Sequence, residues 1–385
     1  MRVLSNVSLV VAGFVTVLVG FTSSAVIVFQ AAQALGATQA EAASWMWALG
    51  LAMGVSCIAL SLRYRVPVVT AWSTPGAALL VTGVAGVSMA EAVGAFIVSG
   101  LLITLAGFSG WFERAMARIP LAIASAMLAG VLLRFGMAAF TGLQTQLTLV
   151  AGMLVVYLAM RRWQPRYAIP LVLLAGSLIA AWQGQLHLGN VRWQLAQPVF
   201  IMPALSWQAV LSVALPLFLV TMASQNVPGV AVLRAAGYHP PLSPIIGWTG
   251  IITMLLAPFG AFALNLAAIT AAICMGAEAH EDARRRYLAA VAAGVFYVIV
   301  GVCGATVAAL FAAFPKELVL TLAGLALINT IGNGLAGAVR DEAQREPALV
   351  TFLVTASGVT LFGIGSAFWG LIGGALAYLA LTWRR

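Results

Sequence analysis

Three groups of small polar side chains interrupt long hydrophobic runs. They are Ser73-Thr74 within AWSTPGAALL, Ser224-Gln225-Asn226 ahead of Pro228-Gly229, and Asn265 within GAFALNLAAI. Hydroxyls and carboxamides hydrogen-bond without ionising, so this set suits holding a small polar or anionic ligand. Ser73 or Thr74 followed by Pro75 reads as a helix N-cap and first helical position. Asn265 is the cap candidate for a second helix start. A helix start leaves amides unpaired and carries partial positive charge. Two starts facing each other would cradle one carboxylate, at about 1 kcal/mol per dipole and ~1.5–3 kcal/mol per hydrogen bond to the charge.

The candidate ligand contacts are therefore Ser73, Thr74, Gln225, Asn226, Asn265 and the adjoining Leu266. Trp72 and Phe262 flank the two helix starts and would meet an apolar ligand body. Ser24, with Ser23, holds the corresponding place in the first hydrophobic run. Each residue also has a structural reading. Ser-Thr-Pro can kink an ordinary helix, Gln225 or Asn226 can bond a neighbouring helix, and a serine can bond its own helix backbone.

Machinery for covalent chemistry is missing from the sequence. It contains no GxxxxGK[ST] loop, nucleophile elbow or HExxH pair. Cys57, Cys274 and Cys303 lie inside apolar runs without metal-ligand spacing. The expectation is a protein that is not an enzyme, with no catalytic residue, metal or cofactor.

The elements that must position these residues follow from composition. Of 385 residues, 63% are hydrophobic and 8% charged, with a mean hydropathy of +1.05. Soluble domains carry about 25% charged residues. Apolar runs long enough to span a bilayer recur from end to end, so the fold class is an all-α polytopic membrane protein. Residues 1–25 read as a first span rather than a leader. Fourteen segments are expected, near 7–33, 41–62, 67–84, 90–110, 119–139, 145–160, 167–186, 207–236, 244–258, 260–277, 285–313, 317–336, 347–364 and 367–383.

The net charge of +9 does not point to nucleic acid, because the basic residues cluster between apolar runs. With both termini cytoplasmic, sixteen of the 19 basic residues fall inside, Arg192 and Lys316 fall outside, and Arg134 lies within a segment. That asymmetry supports the orientation and an even number of crossings. Arg134 is expected to snorkel from a helix end. Nearly all acidic residues belong to loops, with Glu91 at the outer end of segment four, and none must sit at mid-membrane, so no side chain declares itself the proton carrier.

Fourteen segments divide into two inverted repeats of seven, 1–190 and 191–385, as in many secondary transporters. The third and tenth segments, one per repeat, each read as an extended piece plus a half-helix. Non-helical backbone at membrane depth is tolerated only where protein or a polar cavity surrounds it. Residues 66–71 and 260–264 are expected to pair there as short antiparallel strands.

The motifs AWSTPGAALL, SQNVPGVAVLRAAGY and NLAAITAAICMGAEAHEDARRRY resemble those of the bacterial benzoate/proton symporter (BenE-type) family over essentially the whole chain. The resemblance implies import of benzoate or a similar aromatic carboxylate with protons across the inner membrane. It also implies the seven-plus-seven fold shared with nucleobase and sulfate-type transporters. There, segments 1–4 and 8–11 form a core that moves against a gate of segments 5–7 and 12–14. The nucleobase relatives carry glutamates in segments eight and ten, where this chain offers Gln225, Asn226 and Asn265. A nucleobase/proton symporter and an anion channel of the same fold remain as alternatives. Membrane lipid is an expected partner, and homo-oligomerisation stays open.

Overall fold

The computed structural model describes residues 2–83, 86–116, 120–165, 168–186, 195–304, 306, 313–359, 361 and 366–382. In chain order the helices are α1 (Arg2–Ala34), α2 (Gln39–Tyr64), α3 (Thr74–Gly83), α4 (Met89–Phe108), α5 (Trp111–Met116) and α6 (Leu121–Thr141). They continue with α7 (Leu147–Trp163), α8 (Ala168–Trp182), α9 (Trp207–Ala209), α10 (Leu215–Thr221), α11 (Val227–Ala235) and α12 (Leu242–Leu256). The last are α13 (Ile269–Met275), α14 (Tyr287–Val302), α15 (Lys316–Val339), α16 (Arg345–Ser357) and α17 (Ser366–Thr382). Two strands, β1 (Thr70–Trp72) and β2 (Leu264–Leu266), complete the described structure.

Sequence explains where several helices begin and end. Thr38 and Ser88 each accept from the amide three residues on, while Glu41 and Glu91 reach back to the cap. These are two capping boxes, and both glutamates are thereby committed to helix ends. Helix α2 stops at Arg65, which adopts a left-handed φ of 54°. Between Trp207 and Ala235 the chain makes π-helical turns over Val210–Ala214 and Met222–Asn226. Each turn runs directly into a helix with proline in its first positions, Pro216 and Pro228. A proline lacks the amide and clashes with the carbonyl four residues back, and the wider turn accommodates both defects.

Among the described residues, four helical spans are long and apolar enough to cross a membrane: Gln39–Tyr64, Met89–Phe108, Leu242–Phe259 and Ala283–Val302. A fifth arises if Lys316–Leu322 and Leu327–Val339, bent by 43°, count as one. Shorter apolar helices such as Val7–Phe21 and Trp207–Thr221 accompany them. Length therefore does not establish fourteen crossings. Arg192 and much of 305–313 fall outside the described residues, as do the side chains of Ser23, Ser224 and Arg134.

The helices pack in two groups. In one, α2 lies along α14, α4 along α12, and α1 touches α14, α3 and α13. In the other, α6 packs on α15 and α16, α16 on α17, and α7 on α8. The groups meet chiefly where α6 touches α11, with smaller contacts from α15 to α1 and α13.

The strands differ from the expected register. Thr70 pairs with Leu266, Ala71 with Asn265 and Trp72 with Leu264, antiparallel. Residues 66–69 and 260–263 are not strand. On one side the chain is still leaving the left-handed Arg65, and Val68 is tied to Ser61. On the other, Gly260 at φ 102° and Ala263 at φ 28° bend the backbone out of any ladder.

Candidate substrate site

A two-stranded ribbon inside a bundle must have its outer edges satisfied. Here side chains do it. Ser61 Oγ accepts from the Val68 amide at 3.1 Å and donates to the Val68 carbonyl at 3.0 Å. Cys57 Sγ accepts from the Thr70 amide at 3.2 Å, and Ser56 shares a hydroxyl hydrogen bond with Thr70. Positions 57 and 61 are one helical turn apart, so one face of α2 serves Val68 and Thr70 at the start of β1.

The edge of β2 is served likewise. Thr253 Oγ1 of α12 accepts from the Leu264 amide at 3.1 Å, and Asn226 Oδ1 accepts from the Leu266 amide at 2.8 Å. Ser73 N donates to Ala263 O and Ala267 N to Val69 O, extending the pairing beyond the ladder. Gly229 permits this approach. A Cβ there would lie 2.5 Å from Leu266 Cβ and 2.8 Å from its carbonyl oxygen.

Beside the ribbon lies a cavity of about 110 Å³. Its wall includes Ser24 of α1, Ala71 and Trp72 of β1, Thr74 of α3, Gln225 of the second π turn, residues 267–270 leading into α13, and Tyr297 of α14. The first residues of α3 and α13 thus face one space. Trp72 donates its indole N–H to Ser24 Oγ at 2.9 Å, and Ser24 Oγ donates to Gly20 O at 3.0 Å. Phe21 packs edge-on against Trp72 at 4.9 Å between ring centroids and lies 6.2 Å from Tyr297. The cavity wall thus combines aromatic side chains with hydroxyls and a carboxamide.

Four of the nine residues singled out from sequence line this cavity: Ser24, Trp72, Thr74 and Gln225. Five do not. Ser73 is the N-cap of α3, its Oγ accepting from the Gly76 amide at 3.1 Å. Asn226 is fully buried and spends Oδ1 on Leu266, while its Nδ2 reaches Met222 Sδ at 3.2 Å. Leu266 sits in the ribbon. Phe262 is buried in an aromatic cluster, 5.8 Å from Trp45 and 5.9 Å from Phe96.

Asn265 does not cap α13. Strand β2 runs on through Leu266, so the helix starts at Ile269 with Ala268 in the cap position and no side-chain cap bond. Asn265 is wholly buried, its Nδ2 makes a 3.4 Å contact with Ala263 O, and its Oδ1 has no partner. Thr270 and Met53 were not singled out from sequence, and both line the wall. Thr270 lay only five residues past Asn265, and an accurate helix start would have exposed it.

Comparison with known proteins decides the family. The chain matches the family profile described as benzoate membrane transport protein, BenE, over residues 4–380. It belongs to that family. The chain is also 53% identical over 371 residues to the inner membrane protein YdcO of Escherichia coli (strain K12), covering 96% of this chain and 95% of that one. It is 42% identical over 376 residues to the benzoate membrane transport protein of Acinetobacter baylyi (strain ATCC 33305 / BD413 / ADP1), covering 98% and 95%. Among solved structures it resembles SLC26A9 at 10% identity and a TM-score of 0.52, over 97% of this chain and 65% of that one. The transmembrane domain of the cyanobacterial bicarbonate transporter BicA aligns at 14% identity and a TM-score of 0.47, over 97% and 96%. The BenE family is one of membrane transporters, and this helical membrane protein resembles SLC26A9 in fold.

Proposed function

We propose that the protein is a secondary transporter of the bacterial inner membrane that imports benzoate or a similar aromatic carboxylate with protons by alternating access. The observation that carries this reading is the cavity beside the ribbon. Thr74 and residues 268–270 bring helix-start amides to it, Gln225 brings a carboxamide, and Trp72 and Tyr297 bring aromatic side chains. Helix-start amides lack intrahelical acceptors and welcome a carboxylate. The ten-residue α3 contributes the larger dipole, whereas the seven-residue α13 contributes mainly its amides. The ring of an aromatic carboxylate would lie against Trp72 and Tyr297, which both line the cavity.

The packing supports fourteen segments arranged as two inverted repeats, 1–190 and 191–385. In that arrangement α2 and α14 are segments two and eleven, and α4 and α12 are segments four and nine. An inverted-repeat operation exchanges two with nine and four with eleven. The two helix pairs then map onto each other, and the strands of segments three and ten pair across the axis. Segments 1–4 and 8–11 then form the core and segments 5–7 and 12–14 the gate, with both termini cytoplasmic.

Bringing an anion in against an inside-negative potential costs ~2.3 kcal/mol per charge per 100 mV. One accompanying proton cancels that cost, and a pH gradient then drives accumulation. The test is uptake of labelled benzoate by proteoliposomes under an imposed inward proton gradient. The reading expects saturable uptake that a protonophore abolishes. Correctly inserted protein that takes up none would refute it.

A further inference from the structure

Away from the cavity, three side chains from three elements close a hydrogen-bonded ring. Arg161, near the end of α7, donates Nη1–H to Glu278 Oε1 at 2.8 Å and Nη2–H to Asn329 Oδ1 of α15 at 2.9 Å. Asn329 Nδ2 donates in turn to the same Glu278 oxygen at 2.5 Å. Arg161 also stands over the Tyr157 ring, 6.0 Å from its centroid. Glu278 and Arg161 keep 22% and 31% of their side-chain surface exposed. The ion pair Arg345–Glu342, by contrast, joins neighbours within one turn and is far more open to solvent.

The ring joins the end of α7, the loop that follows α13 and the middle of α15. Arg161 follows Leu147 by fourteen residues and Asn329 follows Lys316 by thirteen, so both lie roughly 20 Å along their helices. Glu278 comes three residues after the end of α13, in a loop that is itself tied down. Ser8 Oγ donates to Ala279 O at 3.0 Å, and Arg286 donates to Met275 O at 2.8 Å and to His280 O at 2.7 Å. Glu278 is thus rigidly connected to α13, whose first residues line the cavity. Its partners belong to the other helix group.

We propose that Arg161, Glu278 and Asn329 form a latch that holds α13 and its helix group against α7 and α15 at the arginine-rich face, and that opens when the cavity becomes accessible from that face. The proposal rests on the alternating-access reading above. A carboxylate that receives both donors of a two-residue clamp on the opposite group is the contact most directly broken when the groups separate. Its partial exposure keeps that opening reversible, because water replaces the lost bonds. Gly276 leaves the space the carboxylate needs. A Cβ at that position would lie 2.8 Å from Glu278 Oε2 and displace it.

Cysteine accessibility tests the latch without any substrate. A reporter cysteine, Ala268→Cys, is placed at the cavity in a Cys303→Ala background, where Cys57 and Cys274 are buried. Labelling by a membrane-impermeant maleimide is followed in inside-out vesicles. Glu278→Gln and Gly276→Ala are expected to label about five- to tenfold faster than the parent, from a charge-assisted bond discounted for exposure. Glu278→Arg and Arg161→Glu should each label fast, and the double charge swap should return towards the parent rate.

Parental rates in both Glu278→Gln and Gly276→Ala overturn the latch, whatever the reversals do. A double swap as fast as folded single reversals also overturns it. Should the reversals not fold, Glu278→Gln and Gly276→Ala decide alone. Faster labelling, beside a protein with native Ala268 that takes up no benzoate, keeps the latch and removes the substrate reading. Uptake with unchanged labelling does the opposite.

Discussion

Gln225 and Asn226 are adjacent in sequence yet have different surroundings, and Asn226→Ala exposes the difference. In the native protein Asn226 Oδ1 is the acceptor for the Leu266 amide at 2.8 Å, at a residue with no solvent exposure. Truncation leaves that amide buried and without its acceptor. Such a group costs about 1–3 kcal/mol. Because β2 has only three residues, the loss is concentrated on a short element, and local opening should report it. At 1.4 kcal/mol per factor of ten, exchange of the Leu266 amide should accelerate roughly 5- to 150-fold.

Hydrogen–deuterium exchange resolved over peptides spanning 260–270 measures this directly. Gln225→Ala is the control and should leave that exchange unchanged. If Asn226→Ala left Leu266 protected and instead abolished benzoate binding at equal stability, the division between a structural and a ligand-facing carboxamide would be wrong.

Three further outcomes are expected. Gln225→Ala should weaken benzoate binding by roughly tenfold or more, the worth of one hydrogen bond to a charged acceptor, as read by equilibrium binding in detergent; unchanged affinity would remove it from the site. Asn265→Leu should leave thermal unfolding unchanged or raise it, since the native Oδ1 is buried without a donor, and a marked loss of stability would mean a hidden partner. Trp72→Phe keeps a ring in the cavity wall but loses the indole bond to Ser24, so affinity should fall by less than in Trp72→Ala, with equal losses arguing against a packing role.

Much of this fold was legible because membranes enforce simple rules. The apolar runs announced helices. Ser73-Thr74-Pro75 marked the start of α3, where Ser73 indeed accepts from Gly76. The strand register was not legible. Val66 to Trp72 and Ala261 to Leu266 each carry a single polar side chain, Thr70 and Asn265, so no alternation distinguishes one pairing from the next. The register was set by the side chains of Ser61, Cys57, Thr253 and Asn226, which belong to distant segments.

The candidate site was half legible for related reasons. Polar residues within apolar runs pointed to the region of the cavity, but a π turn over Met222–Asn226 adds a residue to the helical turn and rotates the side chains beyond it. Which of Gln225 and Asn226 faces the cavity therefore could not be read from an ideal helix. The late start of α13 moved the wall from Asn265 to residues 267–270. The ring of Arg161, Glu278 and Asn329 joins positions more than fifty and more than a hundred residues apart, without any local motif.

Whether the cavity beside the ribbon binds an aromatic carboxylate is decided by a crystal structure of the protein with 4-bromobenzoate. The anomalous signal of bromine should lie between Trp72 and Tyr297, with the carboxylate towards Thr74 and the start of α13. A bromine peak elsewhere in a transport-competent protein, with this cavity holding only solvent, would show that the ligand is held by other residues.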